Sequence, residues 1–487
     1  MHSSHTTSNL RKPDPTGRFR NGWRSLLALL LIASFWGVDV HGQETDFSPF
    51  ARFGLGTDQG VLTPSLSGMV GVTTVTGNLS AVNADQPASA AGLTNPAFQA
   101  SIHAQGVRLT EGDRVSNAWT GGPGNFGLVI KQPRARTAFS FGLTPLASKA
   151  FAVQRTLEDT TLGAIQESYV GTGGMARAYA GLAHGWRGKA WVAAGAVDSV
   201  LVSMRGLDVG AHVDHWFGDG IQTSRLDIED LTFRDVQTVV SSRHRALGTV
   251  LGVEGFHVLR AAYGPSKQFE GSWVLRAGAT YSPARALHTD YSRVVESTLI
   301  LNGIHTPIDT AAFEQLELAG TVPAKWTAGG GLQWDGPQGQ RVALFVDHHA
   351  QHWAEANTSL DHLMDGAGSW GDARRTSVGM TWQRARAAKR LTPPVWRAGF
   401  TSATLPVTLD LDNDGTGVPL QEWRGSLGMT LPLQGSRSAS QFHLGMDFGQ
   451  RFTEDPNTHE ETTLRLQVGV TLTPYVKNLW LTPRLYD

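Results

Sequence analysis

The run Thr463-Leu464-Arg465-Leu466-Gln467-Val468-Gly469-Val470-Thr471-Leu472 alternates without a break. Leu464, Leu466, Val468, Val470 and Leu472 are apolar; Arg465, Gln467, Gly469 and Thr471 between them are polar or small. A period of two places the sets on opposite faces of a strand. One such run would suit a soluble sheet equally well. What decides the reading is its recurrence along most of the chain, with aromatics near the ends of the apolar faces and charge on the other faces. A transmembrane β-barrel is written this way, with lipid outside and water inside.

Outward from that run, the same pattern covers 98–109, 136–145, 272–282, 325–334, 341–353, 377–383, 395–401, 424–431 and 441–450. In 272–282, Trp273, Leu275, Ala277, Ala279 and Tyr281 oppose Ser272, Val274, Arg276, Gly278 and Thr280. Runs 175–186 and 189–204 flank Arg187-Gly188, which reads as a hairpin turn. About 14 runs fit along the chain, each near the ~9–11 residues that a tilted strand needs to cross a bilayer. The polar stretches 206–223, 302–318 and 355–373 are expected to be extracellular loops. Trp273 with Tyr281, Trp326 with Trp334, and Trp353, Trp382, Trp396, Trp423 and Trp480 sit at run ends, as interfacial girdles would. The alternative is core tryptophan in a soluble sandwich. It does not explain why Arg276, Lys325, Arg397, Arg424, Asp447 and Arg465 fall so regularly on the polar faces; in a barrel they are lumen charges.

Composition narrows the class. A chain of 487 residues with formal net charge −1 lacks the basic excess of a nucleic-acid binder. Its 40 % hydrophobic content is low for a helical membrane protein and ordinary for a barrel. Without cysteine there is no disulfide, thiolate metal site or catalytic thiol. Arg18, Arg20 and Arg24 precede the apolar core Leu26-Leu27-Ala28-Leu29-Leu30-Leu31-Ile32-Ala33. This reads as a secretory signal peptide over 1–42, cleaved after Gly42; the alternative is a retained anchor helix, for which the run is short. An exported chain with no later helical span enters a membrane only as a closed barrel.

Residues 43–96 differ from the rest: rich in Gly, Ser, Thr, Ala and Asn, poor in charge, without clean alternation. They could form a flexible tail, but Phe50, Phe53, Leu55, Val61, Leu66, Val70 and Leu79 favour a segment buried by something else. Here Arg52-Phe53-Gly54-Leu55-Gly56, followed by Asn95-Pro96-Ala97, resembles the N-terminal plug of long-chain fatty-acid transporter (FadL-like) barrels, in the divergent form found in Bacteroidota. Phe141-Gly142-Leu143-Thr144-Pro145, Val322-Pro323 before Lys325-Trp326, and the closing Leu472-Thr473-Pro474, Trp480 and Arg484-Leu485-Tyr486-Asp487 are similar to that subgroup too. The resemblance implies an all-β, 14-stranded antiparallel barrel over 97–487 whose lumen is occluded by a plug over 43–96. It also implies that hydrophobic ligands enter from outside and leave through a gap in the wall. Only Asn95, Pro96 and Ala97 map onto a family motif, at the plug-to-barrel junction.

Other patterns carry less. Asp410-Leu411-Asp412-Asn413-Asp414-Gly415 matches the front half of a calcium loop, with Asp410, Asp412 and Asp414 as ligands. Its twelfth position is Gln421, so a plain turn explains it equally. His348, His349 and His352 cannot converge on a metal if the segment is extended, since His349 points away with Asp347. His212, Asp214 and His215 are expected in a loop. No Gly-x-Ser-x-Gly elbow occurs, and no Ser/His/acid set is evident, so the reading is not an enzyme and calls for no cofactor. The expected function is passive uptake of a small hydrophobic, fatty-acid-like molecule across the outer membrane of a Gram-negative bacterium. Its partners are then outer-membrane lipid and that ligand, with no nucleic acid. The alternative is a non-transporting barrel subunit of an outer-membrane secretion or barrel-assembly complex.

Overall fold

A computed structural model describes residues 48–473, apart from 61–62, 76–80, 113, 132–135, 160–162, 197, 229–232, 302–303, 355–357, 365–367, 387–391, 411–416, 434–439 and 455–459. The leader over 1–42 and the closing residues from Pro474 lie outside the described residues.

Fourteen antiparallel strands close into a transmembrane barrel. The first strands are β1 (Ala97–Glu111), β2 (Arg114–Lys131) and β3 (Thr137–Ser148 and Phe151–Asp159). Next come β4 (Gly163–Ala194), β5 (Asp198–Ile228), β6 (Asp235–Tyr263) and β7 (Phe269–Ser282 and Arg285–Leu301). The second half holds β8 (Ile304–Val322 and Lys325–Asp335), β9 (Arg341–Gln351), β10 (Gly368–Trp370 and Ala373–Gln383) and β11 (Val395–Leu409). It ends with β12 (Val418–Pro432), β13 (Gln441–Phe452) and β14 (Glu460–Leu472). Each strand pairs with the next, and β14 pairs back on β1 from Glu460↔Thr110 to Leu472↔Phe98. Closure removes the edges, the condition for a sheet in lipid.

The alternation read in the sequence becomes inside and outside. On β14, Leu466 and Val468 are exposed while Arg465 and Gln467 are buried. On β9, Leu344 and Val346 face out, and Phe345 and Asp347 face in. The strands differ greatly in length. At ~3.3 Å per residue, a 32-residue β4 runs roughly 105 Å, far more than a hydrocarbon core of ~30 Å requires even when tilted. Strands β4–β8 therefore project beyond the bilayer as a sheet.

That length overturns several expectations. Arg187-Gly188 is not a turn: β4 passes through it, and the connection to β5 follows Ala194. A register shift between Gly188 and Lys189 marks a bulge there. The stretch 206–223 is not a loop but lies within β5, and most of 302–318 lies within β8. His212, Asp214 and His215 are strand residues for the same reason. In 206–223 the polar composition comes from the inner face, where Asp208, His212 and Asp214 are buried, while Leu207, Val213, Phe217 and Ile221 keep the outward face apolar. Trp353 is not a girdle residue either; it is 6 % exposed and stacks on Trp370 with centroids 4.6 Å apart. Of the stretch 355–373, the described residues hold a short 3-10 turn over Thr358–Leu363 and then the Gly368–Trp370 piece of β10.

Two strands break at one height. Ser282 pairs with Lys325 and Arg285 with Val322, so the interruptions at Pro283-Ala284 and Pro323-Ala324 lie side by side. Proline brings no N–H to a ladder, so two adjacent prolines interrupt both strands at the same height.

Candidate functional site

The described residues from Ser48 to Pro96 run through the barrel interior, and their contacts reach round the ring. Backbone N–H groups of Thr73 and Thr74 donate to Asp347 of β9 at 2.7 and 2.8 Å, and the Thr74 hydroxyl donates at 2.5 Å. Gln86 Nε2 donates to Thr74 O, to Val253 O of β6 and to Ala279 O of β7. Lys131 of β2 donates to the carbonyls of Ala91 and Leu93. Arg177 of β4 pairs with Asp85 at 2.9 Å, and Arg465 of β14 donates to Gln59 O at 2.7 Å. Only a segment inside the ring can meet β2, β4, β6, β7, β9 and β14 at once.

The segment also completes the wall. The β2–β3 ladder covers only Phe126–Lys131 against Leu143–Ala138. Beyond it, the free edge of β3 is taken by the inner segment, with Thr57↔Ser148, Asp58↔Ala147 and Gln59 N bonded to Leu146 O at 3.1 Å. Gly56 makes the approach (φ +96): a Cβ there would stand 2.3 Å from Ser148 O.

Between segment and wall lies a cavity of about 220 Å³. Phe53, Leu55, Met175, Trp216, Val250 and the stacked Trp353–Trp370 pair give it an apolar side. The loop carrying that pair caps the cavity. Gly54 N bonds Leu363 O at 3.0 Å, and Leu360 and Leu363 pack with Leu287, Tyr291 and Leu318. His352 and Ala354 N both bond Asp372 at the base of the loop.

The other side of the cavity is basic. Two of its arginines are neutralised: Arg177 by Asp85, and Arg285 by Asp214 at 2.8 Å while it lies over the Trp216 ring. Lys325 has no ion-pair partner among the described residues. Both ring nitrogens of His349 are buried without hydrogen bonds. Arg375 Nε is unpartnered too, and its Nη1 stands 3.9 Å from Asp58. Asp85 shows the local field. Burial by itself would raise its carboxyl, but the charges of Arg177 and Lys325 hold it below its usual value.

The six charges expected in the lumen all point inward, in different company. Arg465 bonds the inner segment and also Gln105 of β1. Arg424 pairs with Asp447 at 2.9 Å and Glu422 at 2.8 Å, within a cluster that includes Arg451 and Glu461. Arg276 sits 3.7 Å from Glu254 and donates to Gln333. Arg397 donates to Thr430, and Lys325 lines the cavity. Ala97 opens β1 fully buried, just after Asn95 and Pro96. Of the calcium-loop ligands, Asp412 and Asp414 lie outside the described residues; Asp410 follows directly on β11.

Asp347, Gln86 and Lys131 were not singled out from sequence. One signal was there: Gly329 pairs directly with Asp347, and a Cβ on it would stand 1.9 Å from the carboxylate. A glycine run facing a lone acid marks room kept for a third element.

The family model named BamG matches residues 24–487. The chain belongs to the BamG family. No curated protein matches this BamG-family chain in sequence. Among solved structures it is similar to the Pseudomonas putida toluene transporter TodX: 13 % identity, TM-score 0.48, 84 % of this chain and 98 % of that one covered. For the Ralstonia pickettii toluene transporter TbuX the figures are 13 %, 0.46, 84 % and 98 %. For a Pseudomonas aeruginosa FadL homologue they are 10 %, 0.41, 89 % and 100 %. The fold assignment rests on the strand pairing of the BamG-family barrel itself.

Proposed function

We propose that this BamG-family barrel sits in the outer membrane of a Gram-negative bacterium and admits a small amphipathic, fatty-acid-like molecule by passive entry. Residues 43–96 serve as its plug, exported behind the leader over 1–42. The cavity between plug and wall carries this reading. An apolar cavity of ~150 Å³ takes benzene, so 220 Å³ accommodates a small aromatic or a short acyl chain. The basic groups opposite the tryptophans suit an anionic head better than a neutral hydrocarbon. Lateral exit would pass between β2 and β3, where the plug rather than a strand covers the edge. Arg276, Lys325, Arg397, Arg424, Asp447 and Arg465 would hold plug and lumen wall together. Leucine at one of these positions should raise small-solute leakage, and unchanged leakage across all six variants would refute the anchoring role.

A second reading, a non-transporting subunit of an outer-membrane secretion or barrel-assembly complex, has its own support. The β4–β5 hairpin projects past the end of β3, which pairs at Thr137↔His184. It carries Trp191 and Leu201 as an exposed cross-strand pair, the former 69 % exposed. Native purification in mild detergent, with mass spectrometry of proteins and extractable lipids, separates the two. A lone barrel with a stoichiometric anionic amphiphile, lost on Lys325→Ala, supports uptake. A stoichiometric protein complex without ligand supports the subunit.

A further inference from the structure

The projecting sheet carries a cluster that neither reading uses. Near its tip, Asp227 at the end of β5, Asp235 at the start of β6 and His305 at the start of β8 converge. Their ligand atoms all lie within 4.8 Å of one another. The strands bring them together: the β5–β6 ladder ends at Leu226↔Val236, so Asp227 and Asp235 are the next facing positions, Asp235 pairs with Thr298 across β6–β7, and His305 pairs with Ile300, two residues on from Thr298, across β7–β8. Asp227 and Asp235 therefore share a face, and Thr298 on that face is 1 % exposed, so the face is covered there rather than open to water.

The cluster is not satisfied by its own hydrogen bonds. Asp227 Oδ1 and His305 Nδ1 are both shut off from solvent and neither has a hydrogen-bond partner. They face each other at 3.7 Å, too far for a hydrogen bond. Asp235, 8 % exposed, accepts from Ile228 N at 3.0 Å through Oδ1, which fixes the carboxylate in place. Burying a carboxylate oxygen and an imidazole nitrogen unpaired is costly, and such pairs persist when something lies between them.

We propose that Asp227, Asp235 and His305 bind a borderline divalent transition metal of the zinc class, which staples β5, β6 and β8 beyond the bilayer. Two oxygens and one imidazole nitrogen suit such an ion; calcium and magnesium favour oxygen alone. Two ligand atoms on a tetrahedral zinc with bonds of ~2.0–2.1 Å stand about 3.3 Å apart, so the 3.7 Å pair closes by a few tenths of an ångström. Two carboxylates and a neutral imidazole leave a divalent ion formally neutralised, and water completes the coordination. The proposal is independent of what the lumen carries.

The test uses full-length protein in mild detergent with no polyhistidine tag, stripped with chelator and re-equilibrated with Zn²⁺ or Ca²⁺. Elemental analysis after desalting should find one zinc per chain and no calcium, with the thermal transition raised by several degrees. His305→Gln and Asp227→Asn should each lose the zinc and the thermal shift while still migrating as folded barrel in unheated gels. Retention of zinc by both variants would place the ion on other histidines and overturn the assignment. So would a wild-type protein that holds none. Calcium held in place of zinc would overturn the metal class.

Discussion

Asp347 is the clearest case of one side chain organising many. Its two oxygens take three donors from Thr73 and Thr74, and the side chain is buried. Hydrogen bonds to a buried charge are worth about 1.5–3 kcal/mol each, and a donor left unpaired keeps its desolvation cost. Asp347→Ala should therefore loosen the inner segment by ~3 kcal/mol or more, read as faster protease cleavage within 48–96 of an otherwise intact barrel. Equal cleavage rates would refute the anchor. Gly329→Ala should act in the same direction, because its methyl would press on the same carboxylate. Asp85 adds a pH dependence. Its folded carboxyl titrates below the unfolded value of ~3.9, so its stabilising effect is complete above about pH 4 and fades as pH falls through the lower folded value. Protease protection of wild type over Asp85→Asn should stay constant from neutral pH to about 4 and shrink below it. A difference already shrinking at pH 6 would contradict the Arg177 pairing.

At the scale of elements, the edge of β3 matters most, because a piece of the interior takes the place of a neighbouring strand. The chain has no native cysteine, so Thr57→Cys with Ser148→Cys, directly paired, gives a clean crosslink. Neighbouring antiparallel positions lie within the ~4.4–6.8 Å Cα range a disulfide needs. The bond should form in high yield. If cargo leaves by displacing this segment, the oxidised variant should stop uptake and reductant should restore it. Uptake at wild-type rate with the bond closed would place the exit elsewhere. The paired breaks at Pro283 and Pro323 belong to this scale too: they fall where β7 and β8 pass the end of β9, above which the loop bearing Leu360 packs on the projecting sheet.

At the scale of the molecule, the ring closes without its contents, since every strand of 97–472 has two strand neighbours and β14 meets β1; the inner segment adds only the cover on the part of the β3 edge that β2 leaves free. Deleting 48–96 should leave a heat-modifiable barrel whose exposed lumen charges are rehydrated and which leaks small solutes. A chain that no longer assembles would show the segment to be core rather than plug. The fold was legible because lipid outside imposes one rule on every crossing residue. Thus Leu466 and Arg465 announce their faces directly. The lengths of β4 and β5 were not, since beyond the bilayer that rule lapses; 206–223 reads as loop because its inner face carries Asp208, His212 and Asp214. Of the cavity, Lys325 was visible as a lumen charge. Its partners His349, Arg375 and the Trp353–Trp370 pair were not, because sequence gives the face of a residue but not which residues meet across the lumen.

The sequence by itself determined the alternation, hence the barrel, the inward charges and the distinct character of 43–96. Each follows from local periodicity and composition, which need no knowledge of neighbours. Only the tertiary structure decided where the inner segment docks, that it substitutes for a strand along β3, and which basic groups are left unpaired around the cavity. It alone brought Asp227, Asp235 and His305 together. Those facts depend on register and curvature, which set distances between residues far apart in the chain, and no local pattern encodes them.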